Sequence, residues 1–224
     1  MRYNEIKKGD VLEIKAIIFD MDGVLIDGEG IFADCCTEVL NKHGIPCSTD
    51  DFMPFRGMGE KAYLGGVMNK YGFEYIDDIK HETYNYYAQI LPHKLNDNGD
   101  SRRVVLSYRG KCKLAVASGA DRFKVETNIN ALGLSVNDFD VVTGGDEVQK
   151  NKPDPEIFIK SAEKCSVKCS ECIVIEDSLS GIKSAKAAGM KVIGLTGTCE
   201  KNELVQSGAE WVVDKLTGLW DIII

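Results

Sequence analysis

The 224-residue sequence predicts an α/β fold, a parallel sheet with helices on both faces and a small helical domain inserted after the first strand. Three observations carry this. Short apolar runs closed by turn or polar residues recur at 16–19, 113–119, 139–145, 172–177 and 191–195. From the second run onward they alternate with stripes of helical spacing, the pattern of parallel strands joined by crossover helices. Between the first two runs, residues 31 to 91 carry helical spacing alone, too long a stretch for one crossover.

Taken in order, residues 1–14 form a polar leader. Ala16 to Phe19 read as a buried strand that runs into Asp20-Met21-Asp22-Gly23. Ile31, Cys35, Val39 and Leu40 recur at helical spacing, and His43-Gly44-Ile45-Pro46 stops them. A new helix start is expected at 48–51. Tyr63, Leu64, Val67, Met68 and Tyr71 make a second stripe, ended by Gly72. Tyr84, Tyr87, Ala88 and Leu91 make a third, with Pro92 as its stop. The polar stretch 96–101 returns the chain to the sheet.

The second strand closes on Ser118-Gly119. Val125, Ile129 and Leu132 then form a helix capped by Gly133. The third strand follows, and a helix after Pro153-Asp154-Pro155 holds Ile157, Phe158, Ala162 and Cys165. The fourth strand ends in Glu176-Asp177. Ser178 caps the next helix, which Gly189 ends. A fifth strand, a short sixth at 211–213 and a closing helix with Leu216, Leu219 and Trp220 complete a Rossmann-like layout.

Composition narrows the function. The net charge of -8 argues against a nucleic-acid partner, which calls for clustered Lys and Arg. No apolar run approaches the roughly 20 residues of a membrane span. The polar start lacks the apolar core of a secretory signal, so a cytoplasmic protein, monomer or weak dimer, is expected. Eight Cys in a chain of this size fit a reducing compartment better than a disulfide framework. Cys165, Cys169 and Cys172 are the one dense cluster. They lack a fourth zinc ligand at suitable spacing and read as ordinary thiols.

The chemistry gathers at strand ends. In an open parallel sheet, ligands bind outside the carboxyl ends of the strands. Asp20 and Asp22, Ser118, and Glu176 and Asp177 all fall there, with Lys152 in a loop before a helix. Singly, each has a plain structural reading as a turn residue, a helix cap or a solvated charge. Together, carboxylates from two strands with a Lys and a Ser at one rim describe a metal and phosphate site.

The sequence resembles the haloacid dehalogenase superfamily of phosphotransferases, in the branch with a helical cap after the first strand. That branch includes beta-phosphoglucomutase and phosphoglycolate phosphatase. The similarity spans about residues 15 to 215 and rests on four motifs in order: Asp20-Met21-Asp22-Gly23-Val24, Val116-Ala117-Ser118-Gly119, Lys152-Pro153-Asp154-Pro155 and Ile175-Glu176-Asp177-Ser178. The resemblance implies a core formed by 1–27 and 97–224 and a cap domain at 28–96. It implies that Asp20 is a nucleophile forming an aspartyl-phosphate and that Asp22 is the general acid and base. Ser118, Gly119 and Lys152 would hold the phosphoryl oxygens. Magnesium would be held by Asp20, Asp22 through its backbone carbonyl, Glu176 and Asp177. The implied activity is hydrolysis of a small phosphorylated metabolite, a sugar phosphate or phosphoglycolate. The alternatives are a phosphomutase and a non-catalytic regulatory module.

Departures from the family pattern sharpen this. Mutases of the branch carry a His ten positions after the second Asp, where this chain has Phe32, and hydrolysis is favoured. Gly28-Glu29-Gly30 replaces the usual Ser-Glu-Pro, implying a looser hinge, and Asn98-Gly99 replaces Pro-Gly, which weakens the expectation of a helix at 101–106. In the region of the cap's specificity loop, Arg56 and Lys61 are candidates to contact a second anionic group on the substrate; each also reads as a solvated charge. The stretch 54–67 is similar to a domain of some larger plant chloroplast proteins. His43, His81 and His93 suggest no role.

Overall fold

The computed structural model describes residues 14–55 and 59–223. The leader, apart from Ile14, and Arg56 lie outside the described residues. Strands β1 (Ala16–Phe19), β2 (Lys113–Ala117), β3 (Val141–Thr143), β4 (Cys172–Glu176), β5 (Lys191–Leu195) and β6 (Trp211–Val213) form one sheet in the order β3-β2-β1-β4-β5-β6. Every neighbouring pair is parallel. β1 is central and covered on both faces, which is why it is apolar at every position and fully buried. Ile17 and Phe19 join one hydrophobic cluster and Ala16 and Ile18 the other, the period-two alternation of a strand.

Helices cover both faces. On one, α4 (Asp100–Tyr108) and α5 (Arg122–Ala131) bury Val104, Val105, Val125 and Ile129. On the other, α6 (Glu156–Cys165), α7 (Leu179–Ala187) and α8 (Lys201–Ser207) bury Phe158, Ala162, Ile182, Ala185 and Leu204. Register places Phe19 beside Val116 of β2 and Ile175 of β4. Asp20 therefore stands level with Ala117 and Glu176 at the sheet's carboxyl edge. The strand order also reverses at β1, so the crevice between β1 and β4 is the switch point where such sheets bind ligands.

Helices α1 (Glu29–Lys42), α2 (Glu60–Lys70) and α3 (Asp77–Lys94) lie between β1 and α4. Their rings unite them. Phe32 of α1 stacks on Tyr63 of α2 at 5.9 Å and meets the edge of Tyr87 of α3 at 5.2 Å. Phe52 packs on Tyr63 at 4.9 Å. Each such buried ring contributes about 1.5–3 kcal/mol relative to an exposed one.

Besides α8, which the sequence reading did not expect, four elements differ from it. The segment expected to open a helix at 48–51 is a 3-10 helix, Thr49–Phe55. Pro92 does not stop α3, which continues to Lys94. Proline's fixed φ suits a helix, and so near its end the loss is one backbone hydrogen bond. The closing helix is also 3-10, Leu216–Asp221. The return segment, expected to be weakly helical, forms α4, anchored where the Ser101 hydroxyl donates to the Leu25 carbonyl at 2.6 Å. The glycine at 28 has a steric reason: a Cβ there would stand 2.5 Å from the Tyr87 hydroxyl. Among the described residues, no helix is long and apolar enough to cross a membrane.

Candidate active site

Asp20 leaves the end of β1 with its backbone N–H donating to the Ile175 carbonyl at 3.0 Å. The chain then turns back on itself, the N–H groups of Leu25 and Ile26 donating to the Met21 carbonyl at 2.9 and 3.1 Å. Gly23 makes this possible with a φ of +84°, and a Cβ there would lie 2.0 Å from Asp177 Oδ2. Position 23 thus needs glycine both for backbone conformation and to admit a carboxylate.

Lys152 Nζ donates to Asp20 Oδ1 at 2.6 Å and to Glu176 Oε2 at 2.7 Å. The other Glu176 oxygen accepts from the Asp177 N–H, the Ser178 N–H and the Ser178 hydroxyl at 3.2, 3.1 and 2.9 Å. Ser178 also caps α7, its hydroxyl accepting from the Gly181 N–H at 3.0 Å. Asp177 accepts from the Thr198 hydroxyl, in the loop after β5. Ser118 is buried at the end of β2, and its hydroxyl accepts from the Ala120 N–H at 3.2 Å. Beside it, Gly119 leaves open space where a Cβ would stand.

Carboxylate oxygens of Asp20, Glu176 and Asp177 all lie within 4.8 Å of one another, and all three residues are buried. Lys152 pairs with two of the three, Asp20 and Glu176. Burial and the neighbouring Glu176 charge push Asp20 up to about 7 despite Lys152. Burial, then Glu176 and Asp20, push Asp177 up to about 8. Burial also opposes ionisation of Glu176, but Lys152 holds it below the usual carboxylate range. Burial works against the Lys152 charge too, and Asp20 and Glu176 more than offset it. An all-oxygen donor set with excess negative charge fits a hard divalent cation.

Asp22 stands apart from that trio. Its Oδ2 meets Lys124 Nζ, from α5, at 3.3 Å, and its Oδ1 is buried without a hydrogen-bond partner. Lys124 also reaches Glu60 Oε1 at 3.5 Å and sits 4.2 Å above the Phe32 ring. Burial works against the Lys124 charge, and Asp22 and Glu60 more than restore it. One cavity of about 290 Å³ joins all these groups, bounded by Asp20, Asp22, Ser118, Gly119, Lys152, Glu176 and Asp177 at one end and by Phe32, Glu60, Tyr63 and Lys124 at the other.

A family model described as haloacid dehalogenase-like hydrolase matches residues 17–195. The chain belongs to this family. A chloroplast protein of Arabidopsis thaliana, suppressor of quenching 1, is 35% identical over 91% of this haloacid dehalogenase-like chain, which spans 20% of the plant protein's length. A phosphorylated carbohydrates phosphatase of Thermotoga maritima is 29% identical over 88% of this chain and 92% of its own. The crystal structure of a beta-phosphoglucomutase from Clostridium difficile superposes with a TM-score of 0.73 at 25% identity, covering 92% of this chain and 93% of that one.

Lys61, a sequence candidate, is exposed on α2, its ammonium 5.6 Å from the Tyr75 ring, and does not line the cavity. Its neighbour Glu60 does. Glu60, Tyr63, Lys124 and Thr198 are among the lining groups that carry no motif. Tyr63 read as core, and Lys124 carried no motif. The three clustered cysteines form no metal site: among the described residues, the acidic trio is the sole group close enough to hold an ion. Cys165 and Cys172 are buried, and desolvation pushes their thiols up to about 11 and about 12.

Proposed function

We propose that this chain is a magnesium-dependent phosphatase for a small phosphorylated metabolite, a sugar phosphate or phosphoglycolate, working through an aspartyl-phosphate. The observation that carries the reading is the Lys152 bridge between Asp20 and Glu176, beside Asp177, at the mouth of a cavity that also receives Asp22 and Ser118. Family membership and the phosphatase named among its relatives support it.

Asp20, Glu176 and Asp177, with the Asp22 backbone carbonyl, would hold magnesium, which supplies charge neutralisation between an anionic nucleophile and an anionic ester. An Asp20 carboxylate oxygen attacks phosphorus as the ester P–O bond breaks, and Asp22 gives its proton to the departing alkoxide. Asp22, now a carboxylate, takes a proton from water; the hydroxide attacks phosphorus and the Asp20–phosphoryl bond breaks, releasing phosphate. Lys124 holds Asp22 Oδ2, which leaves the unpartnered Oδ1 as the proton carrier. Lys152, the Ser118 hydroxyl and backbone N–H groups near Met21, Asp22 and Gly119 receive the phosphoryl oxygens, since phosphoryl transfer is mainly positioning and electrostatics.

On this reading, residues 28–96 act as a cap over a core of 1–27 and 97–224, and closure excludes water. Phe32 lines the cavity where a mutase of this branch carries its acid-base His, which favours water as the acceptor. A cytoplasmic setting, and work as a monomer or weak dimer, belong to the same proposal; all eight cysteines are free thiols. The test is magnesium-dependent hydrolysis of a panel of phosphate esters by wild type and Asp20→Asn. The expected result is turnover that requires magnesium and falls at least about a thousandfold in the variant. Equal turnover by the two proteins would overturn the reading.

A further inference from the structure

Asp177 differs from the other two members of the acidic trio in how it is held. Lys152 gives a cation to Asp20 and to Glu176, and Glu176 takes three further hydrogen bonds from Asp177 and Ser178. Among the described residues, Asp177 has one donor, the Thr198 hydroxyl, which reaches its Oδ2. Asp177 is 5% exposed. A carboxylate so buried normally finds donors within the protein, and without Thr198 nothing described would fix its plane.

The local sequence delivers that hydroxyl. Just past β5, the Thr196 N–H donates to the Val213 carbonyl at 3.0 Å and its hydroxyl to Asp214 Oδ1 at 3.1 Å, which ties the start of the loop to β6. Gly197 then turns the chain with a φ of +138°. A Cβ there would meet open space, so glycine serves the backbone conformation and not the packing. Glu200 closes the loop, its N–H donating to Glu203 Oε2 at 3.0 Å in the capping box of α8. Thr198 thus stands between two anchored ends and lines the cavity beside Asp177.

Both constraints on Asp177 fall on one oxygen. Thr198 holds Oδ2, and Gly23 backs the same atom: a Cβ at 23 would stand 2.0 Å from Oδ2 and 3.1 Å from Oδ1. Oδ1 is left to face a cation. That bears on the choice of ion. Magnesium is small and demands near-ideal octahedral geometry, which suits a carboxylate offering a single oxygen. Calcium is larger, takes roughly six to eight oxygens and accepts both oxygens of one carboxylate.

We propose that Thr198 is a positioning residue for the metal: by holding Oδ2 it limits Asp177 to one ligating oxygen and so favours magnesium over calcium. The inference rests on the metal site of the phosphatase reading and deepens it with a residue outside the four motifs.

The experiment titrates magnesium and calcium separately into chelator-treated wild type, Thr198→Val and Thr198→Ser, with affinity read by calorimetry and folding by melting in chelator. Wild type should bind magnesium at least as tightly as calcium. Thr198→Val keeps the volume and removes the donor. It should weaken magnesium at least about tenfold and calcium by less, so that the ratio of the two affinities falls. Thr198→Ser keeps the donor and should hold the wild-type ratio. A role in packing alone would give the reverse, with Val tolerated and Ser not. Unchanged magnesium affinity in folded Thr198→Val, or an equal loss for both ions, overturns the inference. Tighter binding of calcium by wild type overturns it as well, and that comparison stands even if neither variant folds. Wild type that binds neither ion defeats the metal reading itself, and the role of Thr198 falls with it.

Discussion

The cavity joins two ends built on different rules. At the acidic end, side chains leave strand ends and short turns of one parallel sheet, and the carboxylates of Asp20, Glu176 and Asp177 are hydrogen-bonded. Glu176 alone receives bonds from Lys152, Ser178 and two backbone N–H groups. At the other end, Phe32, Glu60, Tyr63 and Lys124 come from three different helices, and polar atoms stay unpaired. The first end is preorganised for a group that every substrate of such an enzyme shares, so its dipoles need no rearrangement. Among the described residues, the second end leaves Glu60 Oε2 and the Tyr63 hydroxyl without hydrogen-bond partners.

The sharpest way to break this contrast is Lys124→Met. It strands a buried Glu60 carboxylate and a partly buried Asp22, so stability should fall by about 3 kcal/mol in urea denaturation. Adding Glu60→Gln should recover part of the loss, since the uncompensated charge goes too. A single variant as stable as wild type would mean that Lys124 is idle. Next comes Gly23→Ala, which puts a methyl group against Asp177 at a left-handed backbone position. Magnesium affinity, read by calorimetry, should drop at least about tenfold.

The pH response tests the acidic end without mutation. Burial and neighbouring carboxylates push Asp20 and Asp177 up to about 7 and about 8 in the folded state, from an ordinary value of 3.8. The folded state then binds more protons than the unfolded state across that window. In chelator, this pair makes stability fall as pH rises from about 4 to about 8. Magnesium relieves the same repulsion, so its thermal stabilisation should be larger at pH 8 than at pH 6. An equal shift at both would separate the ion from these carboxylates. The smallest effect belongs to Lys61→Ala. It is exposed and outside the cavity, so stability should change by less than about 0.5 kcal/mol and kcat/KM should hold.

What could be read from the sequence follows the same division. The acidic end is largely local: Asp20, Ser118, Glu176 and Asp177 each sit one or two positions past an apolar run, and parallel register carries them to the rim, where Lys152 arrives from the loop before α6. Strands β1, β2, β4 and β5 were legible because each holds a fully buried, uncharged run of four residues, at 16–19, 114–117, 172–175 and 192–195. The other end is tertiary. Tyr63 lies on a hydrophobic stripe and reads as core, which it is apart from its hydroxyl. A buried Lys124 looks like any helix-surface lysine until α5 is packed beside Asp22. Helix α8 escaped because it buries one apolar residue, Leu204, too few for a period; Glu200 with Glu203, and Gly208 beyond, were the capping signals that could have found it. Pro92 misled because proline breaks a helix far more effectively in its middle than in its last turn.

The most direct measurement is an acid-quenched single turnover of a labelled phosphate ester with magnesium, followed by mapping of the labelled peptide. The account predicts a transient phosphoryl group on the peptide that contains Asp20, formed before inorganic phosphate appears and absent in Asp20→Asn. Release of phosphate with no protein-bound label at any time, or label on another residue, would contradict it.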